Sequence, residues 1–364
     1  MIEIIKVENK DQEREFVMFP FSLYKGCDYW VPPIISEELE SMDKEKNPVF
    51  ENAEAEFYIA KKDGVTVGRI AAMVNWVEIE EQKKNKLRFG WYDTIDDLEV
   101  SKKLLESVIE FGKKRKLEFI DGPVGFSNMD KAGLLIEGYE ELNTMITWYH
   151  YPYQKEHLKK LGFSKLAEWV EYKIKIFSAE DAPEKVKKFS KIIQQRYELK
   201  VLNFKSRKEI IPYVDKMFEL LNVTYSNLQT YVTIKQYQID FYKEKFIKYI
   251  HPDFIKCCLD KNDNLIAFLI TMPSFSRALK KINGKMGLMG YLRLFKAQHF
   301  NDRVSLYLIG VDPKYQSKGV TAVIFNELQN TFNKSQTILI LNQAIHHFLL
   351  VRLYLPSFSC HSTF

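Results

Sequence analysis

The sequence contains little cysteine and no long apolar run. The spacing of its four cysteines fits neither a zinc site nor a disulfide framework, so we expect reduced, structural thiols and no bound metal. They are Cys27, the adjacent pair Cys257 and Cys258, and Cys360. The apolar run 265–272 has the length of a strand and is far below the roughly 20 residues of a membrane span. Residues 1–15 lack the apolar core of a signal peptide. These absences predict a cytoplasmic protein without a membrane partner.

A strong charge of one sign is also lacking. The chain has 53 lysines and arginines against 48 acidic residues, a net charge of +5. Its longest cationic run, Lys113 to Lys116, lies at the end of a predicted helix, where cations complement the helix dipole. We therefore expect no nucleic-acid partner. With 364 residues and 46% hydrophobic composition, the chain exceeds what one core of typical size encloses, which predicts two domains.

The most informative stretch is a predicted strand, a short basic loop and a predicted helix in succession. The apolar run 306–311 predicts a strand that Asp312 and Pro313 end. Apolar residues then recur at the i, i+3, i+4 spacing of one helical face, starting at Val320. The first N–H groups of such a helix have no intrahelical partner and carry the positive end of its dipole. The loop before the helix therefore predicts an anion site, with Gly319 allowing a close approach to the backbone.

This stretch resembles motif A of the Gcn5-related N-acetyltransferases (GNAT). The pyrophosphate loop of that family reads Gln or Arg, two variable residues, Gly, one variable residue, and Gly or Ala. The corresponding residues here are Gln316, Ser317, Lys318, Gly319, Val320 and Thr321. Thr321 adds a hydroxyl and a branch where the family keeps a small residue. The resemblance implies acetyl-CoA or another acyl-CoA as co-substrate, bound by this loop, with the backbone of Ile309, Gly310 and Val311 polarising the thioester carbonyl.

The first half of the chain has the predicted order strand, helix, helix, strand, strand, strand, helix, strand, which resembles the order in the GNAT family, but it has no phosphate loop. Within it, Phe57 to Lys61 and Val65 to Trp76 are predicted to pair as a hairpin across the turn Lys62-Asp63-Gly64. A predicted helix follows, with its apolar residues at helical spacing: Val100, Leu104, Leu105, Val108 and Phe111.

Three aspartates in the segment 93–97 stand where the phosphate loop would be, and like charges there oppose a pyrophosphate. We therefore interpret residues 1–177 as a degenerate GNAT-like domain. The glycine-rich segment 122–138 is either a substrate-lining loop or a structural connection. A helix ending at Gly162 also resembles the family pattern.

The second half repeats this order of elements with little repeat of sequence. Residues 178–364 are interpreted as a GNAT-like domain that contains the acyl-CoA pyrophosphate loop. An insert between Ser274 and Asp302 is either a lid or a bridge between domains. The predicted fold class is α/β (α+β), with tandem GNAT-like domains, each a mixed central sheet flanked by helices.

Taken whole, the chain resembles a family of bacterial tandem acetyltransferase-fold proteins of unassigned substrate. A series of short motifs carries the resemblance: Leu23-Tyr24, Trp30-Val31-Pro32-Pro33, Asn47-Pro48, Gly68-Arg69-Ile70-Ala71 and Gly122-Pro123. The C-terminal segment departs from that family. The 37 residues from Leu328 to Phe364 contain no acidic residue, where 48 in 364 predicts about five. We interpret this as a frameshifted or truncated reading frame. Thr337 to Leu341 is still expected to form the strand beside the cofactor strand, ending near Asn342.

The resemblance implies an acyl-CoA-dependent N-acyltransferase, most simply an acetyltransferase, acting on a small-molecule amine or an amino acid. The amine would attack the thioester directly, since no Cys-His or Ser-His-Asp arrangement is visible in the sequence. No catalytic base can be named, and the paired His346 and His347 have no acidic partners nearby. Two alternatives stay open. One is a catalytically inactive protein that binds acyl-CoA or another ligand, and the other is an aminoacyl or peptidyl transferase of the same tandem fold. The sequence leaves the oligomeric state open.

Overall fold

The computed structural model describes residues 1–127, 129–172, 184–246, 250–334 and 344–355. These residues form two compact units. The first unit contains Met1–Glu171, Ser276–Tyr291 and the described residues from Ala344 onward. The second contains the described residues within Tyr172–Phe275 and Leu292–Gln343. The predicted domain boundary between residues 177 and 178 falls outside the described ranges and stays a prediction.

The first unit is built on one mixed sheet. Its elements, in chain order, are β1 (Ile2–Lys6), α1 (Lys10–Leu23), α2 (Ile35–Met42), β2 (Ala53–Lys62), β3 (Val65–Asn75), α3 (Trp76–Glu80), β4 (Lys86–Thr94), α4 (Leu98–Lys114), β5 (Phe119–Gly122), β6 (Leu134–Glu137), α5 (Pro152–Lys160) and β7 (Ser164–Tyr172). The predicted order of elements is confirmed, with one addition. Trp76, predicted to end a strand, instead begins α3, and the Asn75 side chain caps that helix by accepting from the N–H of Val77.

Local turn chemistry sets the register of this sheet. The hairpin between β2 and β3 closes at Asp63 and Gly64, whose φ angles of 53° and 79° are those of a two-residue turn with positive φ at both positions. The strands pair in the order β1, β2, β3, β4, β5, β12, β6, and β7 pairs with β12 (Ala344–Tyr354). Strands β4 and β5 run parallel. The predicted helix end at Gly162 is confirmed. Gly162 follows α5 and has a φ of 88°, the left-handed conformation that glycine commonly adopts at the C-terminal end of a helix.

Helices cover both faces of the first sheet. On one face, the apolar stripe of α4 packs against buried residues of the strands, including Leu87 and Phe89. On the other face, Phe16 and Val17 of α1 pack against a second set that includes Phe57 and Met73. The stripe on α4 is the one that the sequence predicts, and it is buried as expected: Val100, Leu104, Leu105, Val108 and Phe111.

The second unit is built on a four-stranded antiparallel sheet in the order β11, β10, β9, β8. Its elements are α6 (Glu184–Arg196), β8 (Lys200–Asn203), α7 (Arg207–Tyr225), α8 (Gln236–Phe246), β9 (Ile255–Leu259), β10 (Leu265–Pro273), β11 (Val304–Val311) and α11 (Val320–Lys334). Between β10 and β11 the chain forms α9 (Ser276–Ile282) and α10 (Leu288–His299), which occupy the predicted insert. The order of elements from β8 to α11 repeats the order from β1 to α4, as predicted, except that the two helices α9 and α10 stand where the first unit has α3 alone.

The C-terminal strand joins the first sheet. Strand β12 pairs antiparallel with β5 through Val351–Tyr354 and with β6 through His347–Leu349. The predicted strand Thr337 to Leu341 and the neighbouring Asn342 lie outside the described residues. Among the helices of the described ranges, none is both long and apolar enough to cross a membrane.

Candidate functional site

Strand β11, a short turn and helix α11 form the predicted strand, loop and helix in the second unit. Asp312 begins the turn, and its side chain accepts from the N–H of Lys314 at 2.8 Å. Its carbonyl accepts from the N–H of Tyr315 at 2.8 Å and from that of Gln316 at 3.1 Å. Helix α11 then buries one apolar stripe in the core of the unit: Val320, Val323, Ile324, Leu328 and Phe332. The turn therefore holds the loop rigidly against the end of the strand.

The loop leaves several backbone donors without an acceptor. Lys318 donates its N–H to the carbonyl of Tyr315 at 3.3 Å, and Ala322 donates to Gly319 at 3.0 Å. Within the described part of the chain, no acceptor receives the four other N–H groups at this helix start. They belong to Ser317, Gly319, Val320 and Thr321. Together with the positive end of the helix dipole, four such donors can bind a phosphate.

The side chains of Gln316 and Lys318 each contact a neighbouring part of the protein. Gln316 Nε2 donates to the carbonyl of Val311 at 3.1 Å, so this side chain ties the loop to β11. The Lys318 ammonium lies over two aromatic rings, 5.0 Å from the centroid of Tyr315 and 5.5 Å from that of Tyr197. Cation–π contact fixes the ammonium near the loop while it stays exposed. The backbone, rather than these side chains, supplies the free donors.

Gly319 has structural reasons to be glycine besides any ligand. Its φ is +82°, a conformation that side chains with a Cβ rarely adopt. A Cβ built there would lie 2.9 Å from Phe189 Cε1 and 3.1 Å from Ile193 Cγ1, both on α6. Substitution of Gly319 would therefore disturb the local fold as well as any anion bound there.

The edge of β11 offers two of the three predicted backbone positions to a ligand. Asp312 donates to the carbonyl of Ile266 at 2.8 Å, and hydrogen bonding alternates along an antiparallel pair. Gly310, two residues earlier, therefore has its polar groups turned towards β10. Ile309 and Val311 have theirs turned to the opposite edge, where the Ile309 carbonyl accepts from the Tyr225 hydroxyl at 3.0 Å. The N–H groups of Ile309 and Val311 are thus the ones that can face a thioester.

The three aspartates of the first unit are engaged in the fold. Asp93 is buried and forms an ion pair with Arg69 at 2.8 Å. Asp97 caps α4 by accepting from the N–H of Glu99 at 3.0 Å, and it pairs with Lys62 at 3.0 Å. The charges that the sequence suggests would repel a pyrophosphate are therefore largely offset by partners. The missing glycine loop, rather than free negative charge, distinguishes this helix start from that of α11.

Asp96 belongs to an arrangement that sequence reasoning missed. Ser101 Oγ lies 2.8 Å from His157 Nδ1, and His157 Nε2 lies 3.2 Å from Asp96 Oδ1. The three side chains have the order of a Ser-His-Asp arrangement, which their spacing in the sequence does not reveal. Ser101 is fully buried on α4 and also contacts the Tyr92 hydroxyl at 2.9 Å, so no substrate reaches its oxygen. Burial lowers the pKa of His157, partly opposed by Asp96. We therefore interpret Ser101, His157 and Asp96 as a hydrogen-bonded network that stabilises the fold at the start of α4.

A small, partly open cavity of about 20 Å³ lies within the first unit. The Tyr24 hydroxyl donates to Asp93 Oδ1 at 2.6 Å, and its oxygen also lies 2.9 Å from the Tyr149 carbonyl oxygen. Burial and the Asp93 carboxylate raise the pKa of Tyr24 well above its usual range, so it stays protonated. Burial lowers the pKa of Lys131, which also lines the pocket. Five motif residues named in the sequence analysis converge here, namely Tyr24, Trp30, Val31, Pro33 and Arg69. Long-range folding brings them together, and their spacing in the sequence gave no sign of a pocket.

The fold is similar to that of a solved protein. A tandem GNAT protein from the clavulanic acid biosynthesis pathway superposes with a TM-score of 0.51 over 98% of this chain and 99% of its own, at 8% sequence identity. The chain has the tandem GNAT fold. At this level of identity the likeness shows the fold alone, which agrees with the fold class expected from the sequence.

Two known proteins are similar to this chain in sequence. Protein YghO of Escherichia coli is 26% identical over 322 residues, which cover 87% of this chain and 80% of YghO. A bacterial ceramide synthase of Caulobacter vibrioides is 23% identical over 174 residues, which cover 47% of this chain and 45% of the synthase. The match therefore spans less than half of that enzyme. No protein-family model matches the sequence.

Proposed function

We propose that this protein is an acyl-CoA-dependent N-acyltransferase. The observation that supports the proposal most is the set of four backbone N–H groups at the start of α11 for which the described residues provide no acceptor. A pyrophosphate placed there would accept from these donors at the positive end of the helix dipole. The co-substrate is acetyl-CoA or a longer acyl-CoA, and the protein acts in the cytoplasm.

In this proposal the loop fixes the nucleotide end of the cofactor and so aligns its thioester with β11. The N–H groups of Ile309 and Val311 stabilise the negative charge that develops on the carbonyl oxygen. An amine attacks the carbonyl carbon, a C–N bond forms and the C–S bond breaks. The leaving CoA thiolate takes up the proton that the amine loses, directly or through a base that we leave unassigned.

The acceptor is an amine, either a small molecule or an amino acid. The similarity to a bacterial ceramide synthase supports one narrower choice. Because a ceramide is the amide of a long-chain amino alcohol, the chemistry in that name is N-acylation. We therefore include long-chain amines among the acceptors to be tested first.

The test is product formation followed by mass spectrometry. The purified protein is incubated with acetyl-CoA or palmitoyl-CoA and one of three acceptors, namely an amino acid mixture, a short alkylamine or a long-chain amino alcohol. The expected result is an N-acylated product together with free CoA. Thr321→Glu should abolish turnover, because a carboxylate in the first turn repels the pyrophosphate while it suits the helix dipole. Thr321→Gln is the neutral control and should retain turnover.

Two results would contradict the proposal. Acyl-CoA binding without product for any acceptor would favour the inactive ligand-binding protein. Turnover that is equal in Thr321→Glu and Thr321→Gln would mean that the acyl donor is bound elsewhere.

A further inference from the structure

Helix α10 turns its apolar stripe towards solvent. Leu288, Tyr291, Leu292 and Phe295 follow the i, i+3, i+4, i+7 spacing of a face that globular proteins normally bury. Together with Met289 and Phe300, these side chains are between 53% and 77% exposed. Six large apolar side chains exposed within 13 residues form a patch that a solvated surface does not explain.

The opposite side of the same helix faces the protein with a small residue. Gly290 is buried, and a Cβ built on it would lie 3.2 Å from Met286 Sδ and 3.8 Å from Ile282 Cγ1. The helix therefore packs through its glycine side and leaves its larger apolar side uncovered.

The surrounding segment carries charge of only one sign. From Asn264 to Asn301 the chain has no acidic residue. The same 38 residues contain six basic ones, which are Arg277, Lys280, Lys281, Lys285, Arg293 and Lys296. Lys280 pairs with Asp28 at 3.2 Å, and Arg277, Lys281 and Arg293 also interact with other groups of the protein, so part of this charge is offset. Arg293 and Lys296 lie on α10 itself and are exposed. An occupant of this patch must therefore accept apolar side chains and complement a positive charge.

We propose that α10 binds the surface of an anionic lipid membrane. A second copy of the chain would bring two cationic segments together, and a nucleic acid would leave the six apolar side chains without a complement. An anionic membrane accepts both features, since the apolar side chains enter the boundary below the headgroups and the cations remain among the phosphates. With 12 residues, α10 lies on the membrane and does not span it. This inference revises the expectation of no membrane partner, and it is independent of the proposed acyl transfer.

The test is sedimentation of the full-length protein with vesicles, in the absence of acyl-CoA. One set of vesicles is phosphatidylcholine alone, and the other is phosphatidylcholine mixed with phosphatidylglycerol. We expect binding to the anionic set to be about tenfold or more stronger and to weaken with added salt. Leu292→Gln with Phe295→Gln should weaken binding about tenfold or more. The matched control is Ile211→Gln with Val223→Gln, which removes two equally exposed apolar side chains from α7 and should leave binding unchanged.

Three outcomes would overturn the proposal. Absence of vesicle binding by the folded wild type is the first, and equal binding to both vesicle sets is the second. The third is self-association in solution that the Leu292 and Phe295 replacements abolish, which would make a second copy the occupant of α10. Circular dichroism of each variant establishes that the fold is retained before binding is compared.

Discussion

Replacing Glu78 by glutamine should destabilise the first unit far more than removal of an exposed charge. Glu78 accepts a bidentate pair of hydrogen bonds from Arg88, at 2.7 Å and 2.8 Å. Its carboxylate also pairs with Lys86 at 3.0 Å, and Lys86 pairs with Asp121 at 3.1 Å. All four side chains are no more than 1% exposed. Two cations and two anions thus balance each other at the point where β4 and β5 run parallel.

The expected loss of stability follows from the charges that remain buried after the substitution. Glu78→Gln leaves two buried cations facing one carboxylate, and an uncompensated buried charge costs about 3–5 kcal/mol. That is a large fraction of the roughly 5–15 kcal/mol that stabilises a typical domain. Adding Arg88→Met restores the balance, with Lys86 facing Asp121. The double variant should therefore lose less stability than the sum of the two single variants, by about 1–3 kcal/mol.

Urea unfolding followed by tryptophan fluorescence measures this effect in the first unit alone. All five tryptophans lie there, at positions 30, 76, 91, 148 and 169. The matched control is Glu110→Gln, which breaks the exposed pair with Lys114, whose side chains are 67% and 69% exposed. We expect that control to cost less than about 1 kcal/mol. Equal losses for Glu78→Gln and Glu110→Gln would refute the reasoning.

The same carboxylate gives the wild type a pH dependence. Burial alone would raise the pKa of Glu78, but Arg88 and Lys86 outweigh burial and hold the pKa below its ordinary 4.5. A lowered pKa in the folded state contributes stability that is present above the unfolded value and lost as the pH falls through the folded value. The gap in unfolding free energy between wild type and Glu78→Gln should therefore narrow below about pH 4.5.

Three further predictions concern single residues. Tyr24→Phe removes the hydrogen bond to the buried Asp93 and should cost about 1.5–3 kcal/mol in the same urea experiment; no change would mean that water replaces the hydroxyl. Asp97→Ala removes the cap of α4 and should cost about 1 kcal/mol, whereas Asp97→Asn should recover most of it. Burial raises the pKa of both Cys257 and Cys258 to about 12, so neither should react with a thiol reagent at neutral pH until the protein unfolds. Rapid modification of either cysteine in the folded protein, mapped by mass spectrometry, would contradict their burial.

Features that depend on neighbouring residues could be predicted from the sequence. The stripes of α4 and α11 follow from helical periodicity, and the hairpin at Asp63 and Gly64 follows from turn chemistry. Both signals are local, so one stretch of chain carries all the information. The loop before α11 was predicted for the same reason, because strand, turn and helix are consecutive.

The remaining features depend on contacts between distant residues. Ser101 and His157 are 56 positions apart, and Tyr24 and Asp93 are 69 apart, so no spacing reveals that they touch. The packing role of Gly319 could not be predicted for the same reason. The sequence indicates only that this glycine lets a ligand approach the backbone. The packing of Phe189 against it depends on where α6 lies. The uncovered face of α10 was also missed, since periodicity identifies an apolar stripe and not what covers it.

The most direct test of the central claim is isothermal titration of acetyl-CoA and of free CoA into the wild type, Thr321→Glu and Thr321→Gln. Thr321 is preferable to Gly319 for this purpose, because its side chain is exposed and a glutamate in the first helical turn does not oppose the fold. If the loop binds the pyrophosphate, the wild type and Thr321→Gln bind both ligands, and Thr321→Glu binds neither. Absence of binding by the folded wild type, or undiminished binding by Thr321→Glu, would contradict the assignment of this loop as the acyl-CoA site.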